Sequence, residues 1–413
     1  MLMSKWMIWQ VPVFLCAFSC VAQDEIAAKL TPSAINARID EIRKGDMVII
    51  TDPGADVTIE QTRHEFLFGT AICNELAENH ENAMSSGDRK KFLEILEENF
   101  NYAVHENALK WYDCEKEEGK VDYAVADRIW ELCHERGIPM RGHCIFWAKD
   151  KFLMPWLKKL DNDALRKAVT RRAIDVTRHY KGRIDEFDLN NEMVHGDFFR
   201  RRLGYGIINE MAWIVKSENP DAKLYVNDYG ILDVGFNTNA FISQVENLIK
   251  NGVPIDGIGC QAHRATALPV ITPSERIQKT LDNLAEFNLP VKITECLFVW
   301  DDEQVQADEL RRLLPIYFAH PAVEAIIMWG FWEGSHWQPQ CAMWRKDWSP
   351  RPQALAYRDL VFNQWWTNIS GRADKKGVFK VRGFYGDYKI SSNGKVKTVT
   401  FAKGEQPFQV NFK

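Results

Sequence analysis

From about residue 66 the chain repeats one unit: a short apolar run that reads as a buried strand, then an amphipathic segment long enough for a crossover helix. Eight runs follow this rule, at 66–72, 101–105, 139–145, 184–189, 223–227, 257–261, 291–294 and 325–329. Near-continuous apolarity implies strands covered on both faces, as parallel strands are. Eight strand–helix units predict an α/β protein, a (β/α)₈ (TIM) barrel over 66–365, with an open doubly wound sheet as the alternative. The helices carry their own signals. Leu165, Val169, Ala173, Val176 and Tyr180 form one apolar face, which Gly182 ends. Phe241, Val245 and Leu248 mark another helix, ending near Asn251-Gly252, and Thr272-Pro273-Ser274-Glu275 reads as a capping box.

Three segments lie outside the repeat. Residues 23–65 contain apolar runs at 47–51 and 57–59 around a Pro53-Gly54 turn and predict an N-terminal β extension. Residues 366–413 alternate at 378–381 and 397–401 and predict a C-terminal β appendage, a structural cap and a candidate pairing partner for the N-terminal element. Residues 1–22 read as a signal peptide: Lys5, an apolar stretch over 6–18, and Cys20 and Ala22 at −3 and −1 before Gln23. The stretch is short for a membrane span. The expectation is a secreted or periplasmic protein; an outer-surface lipoprotein anchored at Cys20 is the alternative. Removing the leader leaves seven of nine cysteines without a CxxC, hence no zinc site and no disulfide framework, although a buried pair stays open.

Composition narrows the function classes. A hydrophobic fraction of 46% supplies a large core, and a net charge of −5 without a basic stripe argues against nucleic-acid binding. Fifteen Trp, many of them late in the chain, are core aromatics or platforms for sugar rings. The chemistry centres on Glu192 and Glu295, each ending a strand run and separated by 295 − 192 = 103 residues. That spacing suits the same ends of two strands three units apart, in the mouth where barrel active sites sit. Two facing carboxylates are the minimum for cleaving a glycosidic bond; a surface ion pair is the bland alternative for either.

Over roughly 60–365 the chain resembles family 10 of the glycoside hydrolases, dominated by endo-β-1,4-xylanases. The motifs stand in order: Phe68-Gly69-Thr70-Ala71, Glu106-Asn107-Ala108-Leu109-Lys110-Trp111, Arg141-Gly142-His143-Cys144-Ile145-Phe146-Trp147, Asn191-Glu192, Asn227-Asp228-Tyr229, Gln261-Ala262-His263, Ile293-Thr294-Glu295, Trp329-Gly330 and Ser335-His336-Trp337. The resemblance implies a retaining endo-acting hydrolase of β-1,4-xylan working by double displacement. Glu192 would be the acid/base, Glu295 the nucleophile, and the carboxyls would stand about 5–5.5 Å apart. Glu192 would hold its proton near neutral pH; Glu295 would stay ionised with His263 as donor. Asn191 would bind the sugar 2-hydroxyl. Glu106, Asn107 and Lys110 would bind glycone hydroxyls, with His143 and Gln261 nearer the cleavage point. Trp147, Trp337 and Trp344 would wall the adjacent sugar ring, and Tyr229 would lie on the leaving-group side. No metal or cofactor is implied, since HExxH, glycine-rich phosphate loops and dinucleotide fingerprints are absent.

The chain departs from the family pattern around the glycone subsites. Ala148 and Asp150 stand where the family has His and Gln, Gly230 replaces Asn, and Leu297 replaces an Asp that would support His263. These changes keep three alternatives in view: the same mechanism on another β-linked polysaccharide, a polysaccharide-binding barrel without turnover, and a metal-dependent hydrolase using His143 and His263.

Overall fold

The structure is a computed structural model describing residues 25–232, 235–263, 272–404 and 407–413; the leader at 1–22 lies outside the described residues. Two strands precede the barrel, β1 (Lys44–Ile50) and β2 (Asp56–His64). Nine parallel strands follow: β3 (Leu67–Ile72), β4 (Tyr102–His105), β5 (Met140–Arg141), β6 (Phe146–Trp147), β7 (Glu186–Asn191), β8 (Lys223–Asp228), β9 (Gly257–Cys260), β10 (Val291–Cys296) and β11 (Val323–Met328). Five end the chain: β12 (Asn368–Arg372), β13 (Val378–Phe384), β14 (Gly386–Ser392), β15 (Lys395–Phe401) and β16 (Phe408–Asn411).

The parallel sheet runs β5-β4-β3-β11-β10-β9-β8-β7-β6. Of its two outer strands, β5 lies within the expected run 139–145 and β6 begins just past its end, so the one expected strand position is filled by two short strands and nine strands occupy eight barrel positions. Gly142 lies between the two and closes the ring: it bridges Phe187 in parallel, donating to the Glu186 carbonyl at 2.8 Å and accepting from the Asp188 N–H at 3.0 Å. Only glycine permits this approach, because a Cβ there would sit 2.3 Å from Phe187 Cδ1. The strand expected at 184–189 runs two residues further, to Asn191.

The helix Asn162–Tyr180 buries Leu165, Val169, Ala173, Val176 and Tyr180, and Thr238–Lys250 buries Phe241, Val245 and Leu248. The capping box at 272–275 does not form. The helix is Ser274–Ala285, with Pro273 at the N-cap and no side-chain cap, while Thr272 is buried instead. Among the described residues no helix is long and apolar enough to cross a membrane.

The terminal segments combine. The N-terminal strands take inner places in two small sheets, ordered β13-β1-β16 and β12-β2-β14-β15. Met47, Ile49, Val57 and Ile59 pack with Tyr388, Ile390, Phe401 and Val410 in a core distinct from the barrel's. Each fully buried large apolar side chain contributes about 1.5–3 kcal/mol, so the two ends of the chain stabilise each other. Arg43, in the helix Pro32–Arg43, ties this module to the barrel through the carbonyls of Phe318, His320 and Val323 at 2.7–2.9 Å. The seven cysteines left after the leader are free and buried, so no buried pair forms among them.

Gly142→Ala should cost about 1–3 kcal/mol by overpacking against Phe187, read as a lower denaturation midpoint with unchanged m-value.

Candidate active site

The C-terminal ends of the barrel strands open into one cleft of about 530 Å³. It is lined by Glu106, Asn107, Lys110, His143, Trp147, Asn191, Glu192, Tyr229, Gln261, His263, Glu295 and Trp337, every residue expected from the sequence except Trp344.

Glu192 follows β7 directly. Its φ of +55° is left-handed, a conformation that costs a non-glycine residue energy and is concentrated at functional sites. Two backbone bonds hold it there: its N–H donates to the Asn227 carbonyl and its carbonyl accepts from the Gly196 N–H, both at 2.8 Å. The residue is 8% exposed. Oε2 accepts from Trp147 Nε1 at 3.2 Å and pairs with Lys149 Nζ, while Oε1 accepts from Gln261 Nε2 at 3.3 Å.

Glu295 lies within β10, where every residue is buried. Its Oε1 accepts from Asn227 Nδ2 at 2.9 Å and its Oε2 from His263 Nε2 at 2.7 Å. Burial opposes ionisation. The His263 hydrogen bond and the electrostatic influence of His263, His143 and Lys110 outweigh it, holding this carboxyl below its ordinary range. Asn191 Oδ1 accepts from Asn227 Nδ2 at 3.0 Å and from Gln261 Nε2 at 3.2 Å. Three amides therefore link the two carboxylates. Thr294 Oγ1, donating to Asn227 Oδ1 at 2.6 Å, sets which way the Asn227 amide faces.

Around this pair the cleft is polar and aromatic. Lys110, 6% exposed, donates to Asn107 Oδ1 at 3.0 Å and stands 4.6 Å from the Trp147 ring centroid. Burial pushes Glu106 up to about 7, with Glu75 and Glu295 adding to the shift although Lys110 opposes it. Asp188, itself bonded to Arg141 at 2.6 Å, accepts from His143 Nδ1 at 2.7 Å and so fixes that ring. Trp147 stacks on Phe152 with centroids 3.9 Å apart. Trp337 is 53% exposed with its ring 5.6 Å from His263, and Tyr229 lies 4.4 Å beneath the Lys149 ammonium.

Trp344 does not reach the cleft. It is 4% exposed in the main core, its backbone bridged to Trp332 and Pro350 and its ring edge-on to Phe331. Trp329 lines the cleft instead, edge-on to His143 at 5.2 Å and His263 at 6.0 Å. Its signal was the Trp-Gly at the end of the last strand. Asn227 and Lys149 were also missed as site residues, although Asn227 stood in a quoted motif.

The departures have visible consequences. Leu297 forms a backbone bridge with His263, and the buried His263 Nδ1 has no partner among the described residues. Asp150 turns to Arg201 at 3.4 Å, at the surface. Ala148 is buried. Among the described residues no group of three or more His, Cys, Asp or Glu is placed to hold a metal ion.

The family described as Glycosyl hydrolase family 10 matches residues 59–361, and the chain belongs to it. Among curated relatives, Anti-sigma-I factor RsgI6 of Acetivibrio thermocellus is 36% identical over 391 residues, covering 92% of this chain and 49% of that protein. Endo-1,4-beta-xylanase 1 of Arabidopsis thaliana is 32% identical over 367 residues, covering 86% and 37%. The chain thus spans about half or less of the length of these relatives. The crystal structure of xylanase 10B from Thermotoga petrophila RKU-1 in complex with xylobiose superposes with a TM-score of 0.64 at 23% identity, covering 73% of this chain and 95% of that one, which shows the barrel fold.

Two titrations test these electrostatics. A ¹³C carboxyl titration should find Glu295 below the ordinary range, and His263→Ala should raise its midpoint. Glu106 binds its proton more tightly in the native than in the unfolded chain between about 4.5 and 7, so its ionisation lowers stability as pH rises through that window. Glu106→Gln removes the loss, and its stability relative to the parent, measured by denaturation, should increase from pH 5 to pH 8.

Proposed function

We propose that this chain is a retaining endo-β-1,4-xylanase. The observation that carries the reading is a buried carboxylate kept ionised, Glu295, joined through the side-chain amides of Asn227, Asn191 and Gln261 to a second carboxyl, Glu192, in one cleft. Glu295 attacks the anomeric carbon as the bond to the leaving oxygen breaks, and Glu192 gives that oxygen its proton. Glu192 then takes a proton from water as the water displaces Glu295, and two inversions give net retention.

Asn191 is the partner for the sugar 2-hydroxyl, a contact that strengthens in the oxocarbenium-like transition state. Glu106, Asn107 and Lys110 bind hydroxyls of the glycone. His143 and Gln261 act nearer the scissile bond, Trp147, Trp329 and Trp337 wall the adjacent ring, and Tyr229 meets the leaving-group sugar. Xylan is the substrate favoured by the family and by relatives named as endo-1,4-beta-xylanases. Export fits a polymer that cannot enter the cell, and residues 1–22 have the pattern of a leader.

A second reading, a polysaccharide-binding barrel without turnover, draws on the relative named as an anti-sigma-I factor. Reducing-end release from linear xylan, mixed-linkage glucan and mannan separates the two. The enzyme reading predicts release from xylan, with the β anomer formed first by NMR. Glu192→Ala should lower the rate on xylan by about 10²–10⁴-fold. Glu295→Ala should abolish turnover while keeping affinity. Binding of xylan without release by the parent protein would favour the second reading.

A further inference from the structure

We infer that Lys149 is a positioning residue that biases Glu192 toward its ionised form, shifting the pH range of both half-reactions downward. The inference rests on the proposed roles of Glu192 and Glu295 and deepens them. Lys149 stands between the two departures Ala148 and Asp150. Asp150 turns away to Arg201, whereas Lys149 turns inward, its Nζ against Glu192 Oε2 and over the Tyr229 ring at 4.4 Å. Burial works against the ammonium charge, and Glu192 with Tyr229 outweighs it, so Lys149 stays protonated.

Other groups near Glu192 do not reproduce this effect. Asp228, at the end of β8, is pushed up to about 7 by burial, and its oxygens already accept the N–H groups of Val194 and Tyr229 at 2.8 and 2.9 Å. Burial raises the Cys144 thiol, leaving it neutral. Glu295 and its partner His263 form a hydrogen-bonded pair of their own, and Gln261, on Oε1, is uncharged. Among the described residues Lys149 is the cation in contact with Glu192.

Oε2 holds two donors, Trp147 Nε1 and the ammonium, whereas Oε1 holds one long contact from Gln261 at 3.3 Å. The transferable proton therefore sits on Oε1. In the first half-reaction the ammonium disfavours the protonated acid, and it stabilises the carboxylate left once the proton has gone to the leaving oxygen. In the second, Glu192 must begin ionised to take a proton from water, and the same ammonium keeps it ionised at lower pH. Removing the charge should move both pH limits upward.

The test uses Lys149→Met, similar in length and uncharged, with Lys149→Arg as the rescue. On xylo-oligosaccharides, whose leaving group needs a proton, the alkaline limb of kcat/KM should rise by about one pH unit in Lys149→Met. On 2,4-dinitrophenyl xylobioside, whose leaving group needs none, deglycosylation limits kcat, and its acid limb should rise by a similar amount. Lys149→Arg should return both limbs toward the parent values. Limbs that stay in place, a uniform loss at every pH, or an arginine variant no better than methionine would overturn the inference alone. A parent protein that turns over neither substrate would overturn the proposed function and this inference together.

Discussion

A nearly fully buried carboxylate that must remain charged is the constraint around which the cleft is arranged. Burying an ion costs several kcal/mol unless donors and opposite charges replace water. Glu295 receives both, from Asn227 on one oxygen and His263 on the other. Three different strand ends supply these groups: β8 carries Asn227, His263 follows β9, and β10 carries Glu295. Because β8, β9 and β10 are adjacent parallel strands, their C-terminal ends lie side by side, so the order of the sheet and the ionisation of one side chain are coupled.

The same logic extends beneath the cleft. Arg141, with a side chain 1% exposed, bonds Glu186 at 2.9 Å and Asp188 at 2.6 Å, and Lys292 pairs with Glu186. This buried charge network spans β5, β7 and β10. Through Asp188 it also orients His143, so interior pairing and the aim of a cleft residue share a carboxylate. Breaking one partner of such a network strands the other, which makes the barrel interior intolerant of single charge losses.

The repeat of apolar runs made the barrel legible, because fully buried strands leave a signal that is local in sequence. The cleft was legible for a related reason: side chains at the ends of consecutive strands must converge in a closed barrel. What escaped depends on spatial neighbours that the sequence does not order. The break between β5 and β6 follows from the approach of Gly142 to Phe187, which lies on another strand. The pairing of the two terminal segments was expected, but its register, such as Met47 with Val381 between opposite ends of the chain, was not readable from sequence. Trp344 and Trp329 are equally aromatic in sequence, and only packing turns one into the core and the other toward the histidines. Lys149 carries no local signal in the sequence, because its contact with Glu192 depends on how the loop after β6 folds over the cleft.

The central claim is that Glu295 forms a covalent bond to the sugar while Glu192 only moves protons. The most direct measurement is trapping with 2,4-dinitrophenyl 2-deoxy-2-fluoro-xylobioside followed by peptide mass mapping. The account predicts one equivalent of fluoroglycosyl label, carried on Glu295. A label on Glu192 or another residue, or active enzyme that turns substrate over and never retains the label, would contradict it.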